Sequence, residues 1–453
     1  MAYASNPTII SGCKLQPSFD HLDMAAYNLH DMMIRDMSLM RRMEKADPSL
    51  GEVRIDVLAY SRKLFYFRHL VSHGTWNPFH FMTPKITSPG FLEALVLTRD
   101  FECTDPRDHI YSLWNLVQDK QGLDFSPNYT ERYEDVYVEF ARAWIAQHRT
   151  LDILGAVEVT PQSRFFYHHA PSWCPNWNIP ATTSCLVRKD SIPARLMRAL
   201  EDQNGELYSA DGGMNGDSFD SPLFCFDGNV LHCTGLIIDQ IKMIFDDAPK
   251  VPVGPIFPSY YPDWKWKFHY WTHEIKDHFR KNGLATYEDP LRAAWAMLHG
   301  DNCAAWPPRA ESGYELDILR RDHANERYVC LPQRSRHILR YVASYERNFA
   351  WDVVRTVLRG RRPFILEDGH MGLAPGDISM RENDEKKPWA LAIVAGCSVP
   401  LLLRERDDGT YQLIGTCFVQ GWMDGEWIET MMGAGSPREF WDAVKDEARL
   451  KIS

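Results

Sequence analysis

Several signatures of common protein classes are missing from this 453-residue sequence. Its 10 cysteines include no Cys-x-x-Cys pair and no regular spacing, which excludes a disulfide framework and indicates reduced thiols. The N-terminus has no basic segment followed by an apolar run, so no secretory signal is predicted. The apolar run from Pro388 to Leu403 is shorter than the ~18 to 20 residues that span a bilayer. Together these absences predict a cytoplasmic protein without a membrane partner.

The motifs of the commonest enzyme classes are also missing. The sequence has no Gly-x-x-x-x-Gly-Lys phosphate loop, no Gly-x-Gly-x-x-Gly fingerprint, no Gly-x-Ser-x-Gly elbow and no two-metal carboxylate pattern. The catalytic residues are therefore unknown, and no cofactor is predicted. A formal net charge of -11 argues against nucleic-acid binding, because phosphate contacts need clustered basic residues. The arginine groups at 334–340 and 355–362, which include Arg361, are interpreted as a solvated helix face.

What the sequence does contain is typical of a globular protein. Hydrophobic residues make up 45% of the chain, charged residues 25% and aromatic residues 12%, which is enough to build a sizeable core. A chain of this length exceeds the size at which one core keeps growing. Two or three packed units are therefore expected.

The segment from Asp105 to Tyr111 carries the strongest helix-start signal. Asp105 can cap a helix whose first residue is Pro106, and Asp108 is a further acceptor in the first turn. Asp105, Arg107 and Asp108 could in principle form an acid–base cluster. Helix capping together with an ion pair to Arg107 explains the same residues without function, and we favour that interpretation.

A second helix and an aromatic segment follow. Thr130 can cap the helix, and apolar residues from Tyr133 to Ile145 recur at helical spacing, which predicts one buried aromatic face. Trp173 and Trp177 lie among prolines between residues 170 and 177, which is typical of a rigid extended segment. The two rings could stack a planar ligand, but packing in a core is the favoured interpretation.

One helix carries weak candidates for metal binding. The pattern from Asp263 to Lys281 predicts a helix on which His269, His273 and Asp277 are four residues apart, a spacing that can bring two imidazoles and a carboxylate to one ion. No His-Glu-x-x-His motif and no suitably spaced cysteine supports this interpretation. We therefore predict no metal site. Methionines crowd another predicted helix, Asp20 to Glu44, and there core filling is favoured over a soft-metal site or binding face.

The last part of the chain changes to a strand-like period. Arg362–Leu366, Trp389–Ala395, Val399–Arg404 and Tyr411–Val419 are predicted strands, with a type I′ turn at Asp408-Gly409. An earlier β-hairpin is predicted near 223–245, around Asp227-Gly228-Asn229. The predicted fold class is α+β, a mainly helical body with a small C-terminal antiparallel β-sheet or partly open barrel. The predicted divisions are an N-terminal helical region at 1–100, a mainly helical central body at 101–360, a small antiparallel β domain at 361–430 and a C-terminal helix at 431–453.

Three motifs in fixed order resemble the fungal heterokaryon incompatibility (HET) family. They are Asp-Pro-Arg-Asp followed by Ile-Tyr-Ser-Leu, then Pro-Asn-Tyr with its aromatic helix, then Pro-Ser-Trp-x-Pro-x-Trp. A C-terminal region with Glu-Asp-Gly-His and Gln-Gly-Trp-Met-Asp-Gly extends the likeness. The residues that carry this resemblance are Asp105, Pro106, Arg107, Asp108, Tyr111, Trp173, Trp177, Asp368, Gly369, Gly372, Gly376, Asp377, Gly421, Asp424 and Gly425.

The resemblance implies a role without an obvious chemistry. Patterns of the family's amino-terminal HET domain, such as Ser-Tyr-Val-Trp-Gly, do not occur here, so the chain resembles the region that follows that domain. This implies a regulatory or interaction protein of non-self recognition and programmed cell death, lacking the effector domain. A protein partner is then expected, either a separate HET-domain protein or a second copy bound through residues 1–50. The alternative is an enzyme or accessory protein of fungal secondary metabolism whose pocket has no sequence signature.

Overall fold

The structure, a computed structural model, describes parts of both halves of the chain. The described residues are 90–114, 117, 119–120, 122–186, 208–214, 223–248, 263–282, 286–287, 293–294, 297–298, 357–376, 378, 388–433, 435–445 and 447–453. The predicted helices at Asp20–Glu44 and Val53–Ser72 and most of the helical pattern at 288–360 lie outside these ranges.

Helices precede and follow the strands. They are α1 (Phe91–Thr98), α2 (Asp108–Tyr111), α3 (Tyr133–His148), α4 (Asp263–Asn282), α5 (Glu426–Met432) and α6 (Pro437–Val444). Three short 3-10 turns lie at Asp152–Ala156, Pro161–Ser163 and Phe166–His168. None of these helices is long and apolar enough to cross a membrane, within the residues that the structure describes.

The two predicted helix starts are only partly right. Regular helix α2 begins at Asp108 rather than Pro106, although the Asp105 carboxylate does accept the backbone N–H of Arg107. Helix α3 begins at Tyr133 with Arg132 as its N-cap, and no side chain caps it. Thr130 instead donates its N–H and hydroxyl to Asn128, because a turn separates Thr130 from the helix.

The buried face of α3 is the one that its spacing predicts. Its Val136, Tyr137, Phe140, Ala141, Trp144 and Ile145 are all buried. The Phe140 ring meets Phe91 of α1 at 4.9 Å and Phe125 at 5.4 Å, both edge to face. Such pairs add to the stabilisation that burial provides, so α1 and α3 form one aromatic core.

Within the described ranges, nine strands form one sheet. They are β1 (Phe224–Asp227), β2 (Val230–Ile244), β3 (Arg361–Leu366), β4 (Met371–Pro375), β5 (Trp389–Val394), β6 (Leu401–Glu405), β7 (Tyr411–Thr416), β8 (Phe418–Val419) and β9 (Arg449–Ile452). Neighbouring strands run in the order β5-β6-β7-β9-β2-β3-β4-β8, and β5 also pairs with β2. Strands β2, β5, β6, β7 and β9 therefore close into a small barrel.

Strand β2 is the common element of this sheet. It pairs with β1 and β9 through its first half, with β5 through Gly235–Gln240 and with β3 through Ile241–Ile244. Two register shifts, after Ile237 and after Ile241, interrupt these ladders. Bulges of this kind bend a strand, which lets one strand serve several neighbours.

The predicted fold class is right for the barrel and needs correction for the helical body. An α+β protein with a small barrel is confirmed, and the hairpin predicted near 223–245 is formed by β1 and β2. The mainly helical body at 101–360 is not supported, because in its described part long non-helical stretches separate α2, α3 and α4, and β2 is a strand of the barrel. The barrel is closed rather than partly open. The C-terminal helix predicted at 431–453 is right only in part: α6 occupies Pro437–Val444, whereas β9 occupies Arg449–Ile452 and completes the barrel against β2 and β7.

Two hairpins share one turn design. Glu367-Asp368-Gly369 joins β3 to β4, and Asp407-Asp408-Gly409 joins β6 to β7. In both turns the glycine has positive φ and the aspartate accepts the amide two residues later. Asp408 itself does not have positive φ, so the turn is a three-residue loop with a glycine bulge, not the predicted type I′ turn.

Strand β5 and the first three residues of β6 are buried on both faces. Leu402 belongs to one hydrophobic cluster, whereas Leu401 and Leu403 belong to the other. Close packing also explains one glycine: a Cβ on Gly372 of β4 would lie 2.3 Å from the Phe364 ring and 2.4 Å from the Phe418 carbonyl oxygen. Arg361 is buried in β3 and donates to Thr416 and Ser184, which corrects its interpretation as a solvated residue.

Candidate functional site

The Asp-Pro-Arg-Asp motif forms a clamp on the Pro-Asn-Tyr segment. Arg107 pairs with the Asp105 carboxylate at 2.7 Å and donates to the carbonyl oxygens of Tyr129 and Glu131. Its guanidinium also lies 5.2 Å from the Tyr129 ring centre. The Tyr129 hydroxyl in turn donates to Asp108 at 2.6 Å. The first two motifs are therefore one hydrogen-bonded unit.

Two buried tyrosines complete this clamp. The Tyr111 hydroxyl donates to the Asn128 carbonyl oxygen and accepts the Asn128 N–H, both at 2.9 Å. The Tyr137 hydroxyl of α3 donates to the Pro106 carbonyl oxygen at 2.6 Å. Hydrogen bonds to Arg107 lower the pKa of Asp105, and the hydrogen bond to Asp108 raises the pKa of Tyr129 to about 12. Both shifts favour the forms that make these hydrogen bonds, the ionised Asp105 carboxylate and the neutral Tyr129 hydroxyl. A structural ion pair has this effect.

The two tryptophans of the third motif are packed in the core. Both Trp173 and Trp177 are fully buried. Trp173 donates to the Asn229 carbonyl oxygen in the β1–β2 turn at 2.8 Å, and Arg142 of α3 lies over its ring. Arg99 lies over the Trp177 ring at 5.6 Å. Core packing, rather than stacking on a ligand, therefore occupies these rings.

Ser172 connects the same motif to the closure of the barrel. Its hydroxyl donates to the Ser453 carbonyl oxygen at 2.5 Å and accepts the Leu413 N–H at 2.9 Å. Between β7 and β9 the parallel pairing has a single matched pair, Tyr411 with Ile452. Ser172 thus bridges β7 and β9, which share only that one matched pair in the described sheet.

The β3–β4 turn carries a cluster of titratable groups that the sequence did not reveal. His370 Nδ1 lies 2.7 Å from Asp368 Oδ2, and the His370 N–H donates to Asp368 Oδ1 at 2.8 Å. Asp239 of β2 accepts the Asp368 N–H at 3.0 Å. Asp239 follows the first register shift of β2, and such bulges often re-aim a side chain next to a functional site.

Aromatic rings cover the histidine of this cluster. The His370 ring lies 5.3 Å from the Trp422 ring and 5.6 Å from the Tyr287 ring. Tyr287 accepts the Met371 N–H and donates to the Gln420 carbonyl oxygen. The cluster therefore joins the Glu-Asp-Gly-His and Gln-Gly-Trp motifs to a segment from the middle of the chain.

The two carboxyl groups of the cluster have different electrostatic surroundings. Burial raises the pKa of Asp239. Burial alone would raise the pKa of Asp368 too, but hydrogen bonds from His370 and from Asp239 bring it below its ordinary value. Asp368 is thus the more acidic of the two carboxyl groups. It holds the His370 ring through Nδ1.

The predicted metal candidates are held by other contacts. Asp277 pairs with Lys281 at 2.7 Å, and His273 lies 3.6 Å from Glu274; for His269 only the backbone in α4 is described. The described ranges contain no group of three or more His, Cys, Asp or Glu side chains that could hold a metal ion.

Cys174 is buried, and burial raises the pKa of its thiol, so it is not an activated thiol.

The remaining motif residues are mostly turn positions. Gly369, Gly421 and Gly425 all have positive φ, and Gly376 packs against the Gly360 carbonyl oxygen. The Asp424 N–H donates to Glu426. Asp377 lies outside the described residues. The sequence did not identify Asp239 or His370 as site residues. A histidine two residues after Asp368 is a local signal, but it does not indicate that Asp239, 129 residues before Asp368, contacts this turn.

Comparisons with known proteins agree with this architecture. Residues 331–435 match the family model of the Het-6 beta-barrel domain. That range contains β3 to β8, whereas β2 and β9, which complete the barrel, lie outside it. This part of the chain is therefore a HET-family-like barrel region, as the motifs indicate.

A curated relative extends the likeness beyond the barrel. The chain is 24% identical over 364 residues to heterokaryon incompatibility protein 6, OR allele, of Neurospora crassa, which covers 72% of this chain and 49% of that protein. The chain thus spans about half the length of that relative. No solved structure matches the chain.

Proposed function

We propose that this protein acts in heterokaryon incompatibility, as a recognition component rather than as an enzyme. The observation that carries the proposal is the match of residues 331–435, which contain β3 to β8, to the Het-6 beta-barrel model, combined with likeness to a protein named for this process. The motif residues have structural contacts in this protein. Asp105, Arg107 and Tyr111 hold the segment at 128–131 that precedes α3, and Trp173 and Trp177 are buried in the core.

Cell death would then depend on a second protein. The chain recognises a difference between fused cells, and an effector domain on a separate HET-domain protein then starts programmed cell death. A HET-domain partner is expected because the chain resembles the region that follows the HET domain in that family. Residues 1–50, the expected contact, lie outside the described residues, so the test is co-purification of the full chain with HET-domain proteins from fungal cells.

A genetic experiment tests the proposal as a whole. The gene is deleted in its fungal host, and forced heterokaryons are made with isolates that carry different alleles; their growth rate and uptake of a vital dye are measured. Deletion is expected to make at least one incompatible pairing grow normally. Reintroduction of the wild-type gene restores incompatibility. If no pairing changes on deletion, the proposal is wrong.

A matched pair of variants links this phenotype to the barrel. Gly372→Ala places a methyl group against the Phe364 ring and should fail to restore incompatibility. Gly409→Ala is the control, because its Cβ points into open space and only its positive φ is strained. It should restore incompatibility. Equal restoration by both variants would mean that an intact barrel is not needed.

A second candidate function, an enzyme or accessory protein of secondary metabolism, is favoured by one observation. The Asp368–His370 pair has the geometry of a general base, with the carboxylate fixing the imidazole. His370→Gln keeps the polar side chain but removes the base. The variant is expressed in the deletion strain. If it restores incompatibility but not the wild-type metabolite profile, the enzyme is supported. Restoration of both rejects the enzyme.

A further inference from the structure

Three adjacent strands place a thiol, an imidazole and an ammonium group in one row on the outside of the barrel. Cys225 of β1 lies opposite His232 of β2, and His232 lies opposite Lys451 of β9. Directly opposed residues of neighbouring strands have Cβ atoms about 4.5 to 5.5 Å apart, and their side chains leave the sheet on the same face. The register of β2 with its two neighbours therefore brings these three side chains together.

The burial of the neighbouring rows shows that this row faces solvent. The flanking positions on the same strands pack in the hydrophobic core, and they are Phe224, Phe226, Leu231, Cys233, Leu450 and Ile452. Successive side chains of a strand point to opposite faces, so the row of Cys225, His232 and Lys451 points outward. Cys225 and Lys451 are exposed and His232 is half-buried, as this alternation requires. Of the cysteines in the described ranges, only Cys225 is exposed.

The surroundings of Cys225 carry positive charge, although the formal net charge of the protein is -11. Arg449 projects from the same face of β9 as Lys451, and both are exposed. Asp227 is the acidic residue of β1 on this face, and the carboxylates of the β6–β7 turn lie beyond β9, with β9 and β2 between them and β1. Within the described part of the chain, no hydrogen bond or ion pair engages the side chains of Cys225, His232 or Lys451.

We propose that Cys225 is a site of covalent modification by anionic low-mass disulfides, with His232 as the proton acceptor and Lys451 as the group that attracts the anion. The thiolate is the form of cysteine that attacks a disulfide, and reactive cysteines lie in partly exposed, electropositive surroundings. The outer face of the β1–β2 hairpin provides both conditions. The barrel therefore carries a redox-sensitive position outside the hydrogen-bonded clamp and outside the Asp368–His370 cluster.

The exchange needs no reactant other than the disulfide itself. The Cys225 thiol gives its proton to His232, and the thiolate sulfur attacks one sulfur atom of the disulfide. A new S–S bond forms while the S–S bond of the reagent breaks. The departing thiolate takes the proton from the His232 imidazolium and leaves as a thiol. Cys225 is thereby oxidised to a mixed disulfide, and one half of the reagent is reduced.

Cys103 is an internal control with the opposite surroundings. It is half-buried, and burial together with the Asp108 and Asp105 carboxylates raises the pKa of its thiol. These carboxylates repel an anionic reagent and attract a cationic one. The charge preference of the reaction should therefore be opposite at the two thiols of the same molecule.

The test is reaction of the reduced full-length protein with oxidised glutathione, which is anionic, or with cystamine, which is cationic, at about pH 7.5 and low ionic strength. Peptide mass spectrometry gives the initial rate at each cysteine, and the anion-to-cation rate ratio is the measured quantity. The ratio should be higher at Cys225 than at Cys103, and Lys451→Glu should lower it at Cys225 by about threefold to tenfold. The matched control Lys242→Glu makes the same charge change at the exposed other end of β2 and should leave the ratio unchanged.

Two further measurements separate the charge from the base. His232→Gln should slow both reagents at Cys225 several-fold and by a similar factor, because it removes the proton acceptor but keeps a polar side chain. Salt at about 0.5 M should bring the ratios of the two wild-type thiols together, because it screens exposed charges. Equal ratios at Cys225 and Cys103 in low salt, or no effect of Lys451→Glu in a folded variant, overturn the anion site. Unchanged rates in His232→Gln overturn the role of His232.

Discussion

Ser172 is the residue at which a small change should weaken the barrel most selectively. Its hydroxyl is the shared partner of β7 and β9, which have a single matched pair of their own. Ser172→Ala removes one oxygen atom and leaves the Leu413 N–H and the Ser453 carbonyl oxygen without this partner. Leu413 is fully buried, so water cannot replace the bond to its amide without opening the strand.

The magnitude can be worked from these two groups. A buried donor or acceptor left unsatisfied costs about 1 to 3 kcal/mol, and the lost oxygen leaves only a small cavity. The Ser453 carbonyl belongs to a less buried residue and contributes less. We therefore expect Ser172→Ala to lower the free energy of unfolding by about 2 to 3 kcal/mol.

Urea denaturation followed by tryptophan fluorescence measures this change. The control is Ser436→Ala, which removes a half-buried hydroxyl from the N-cap of α6 and should cost about 0.5 to 1 kcal/mol. Amide exchange should show that Ser172→Ala accelerates exchange in β9 more than in β5. A loss below ~0.5 kcal/mol, or equal exchange in the two strands, would contradict the bridging role of Ser172.

Three further outcomes are expected. Tyr137→Phe should lower the free energy of unfolding by about 1 kcal/mol, measured by urea titration, because it removes one hydrogen bond but keeps the ring. Gly372→Ala should destabilise by at least ~2 kcal/mol and more than Gly409→Ala, which thermal melts of the two variants compare directly. The pKa of Asp105 is lowered by Arg107, so its contribution is lost as the pH falls; the midpoints of Asp105→Asn and wild type should converge below about pH 3.

Much of the strand pattern could be predicted because its signals are local. The turn at Gly228-Asn229 and the strands after Arg361, Trp389 and Tyr411 follow from alternation and turn residues within a few positions. Strand β4 was missed because all five of its residues are buried, which removes the alternation, and because Pro375 and Gly376 resemble a turn. Strand β9 has four residues, too few for a period to be evident.

The candidate site illustrates a different limit. The clamp around Arg107 could be anticipated, because its residues lie within about 30 positions and their ion pair is a local property. Asp239 and His370 are brought together only by the pairing of β2 with β3. No spacing in the sequence encodes that contact, since it depends on a register shift and on a long-range strand pairing.

The many partners of β2 have a consequence for how the protein is made. Gly235 and its neighbours pair with β5, while Cys233 pairs with Leu450, more than two hundred residues later in the chain. During synthesis β2 leaves the ribosome together with its hairpin partner β1 but long before β9 exists, so the edge of β2 that pairs with β9 stays open in the growing chain. Closing so long a loop is slow, and unpaired edges attract other strands. The barrel therefore cannot close until β9 has been synthesised.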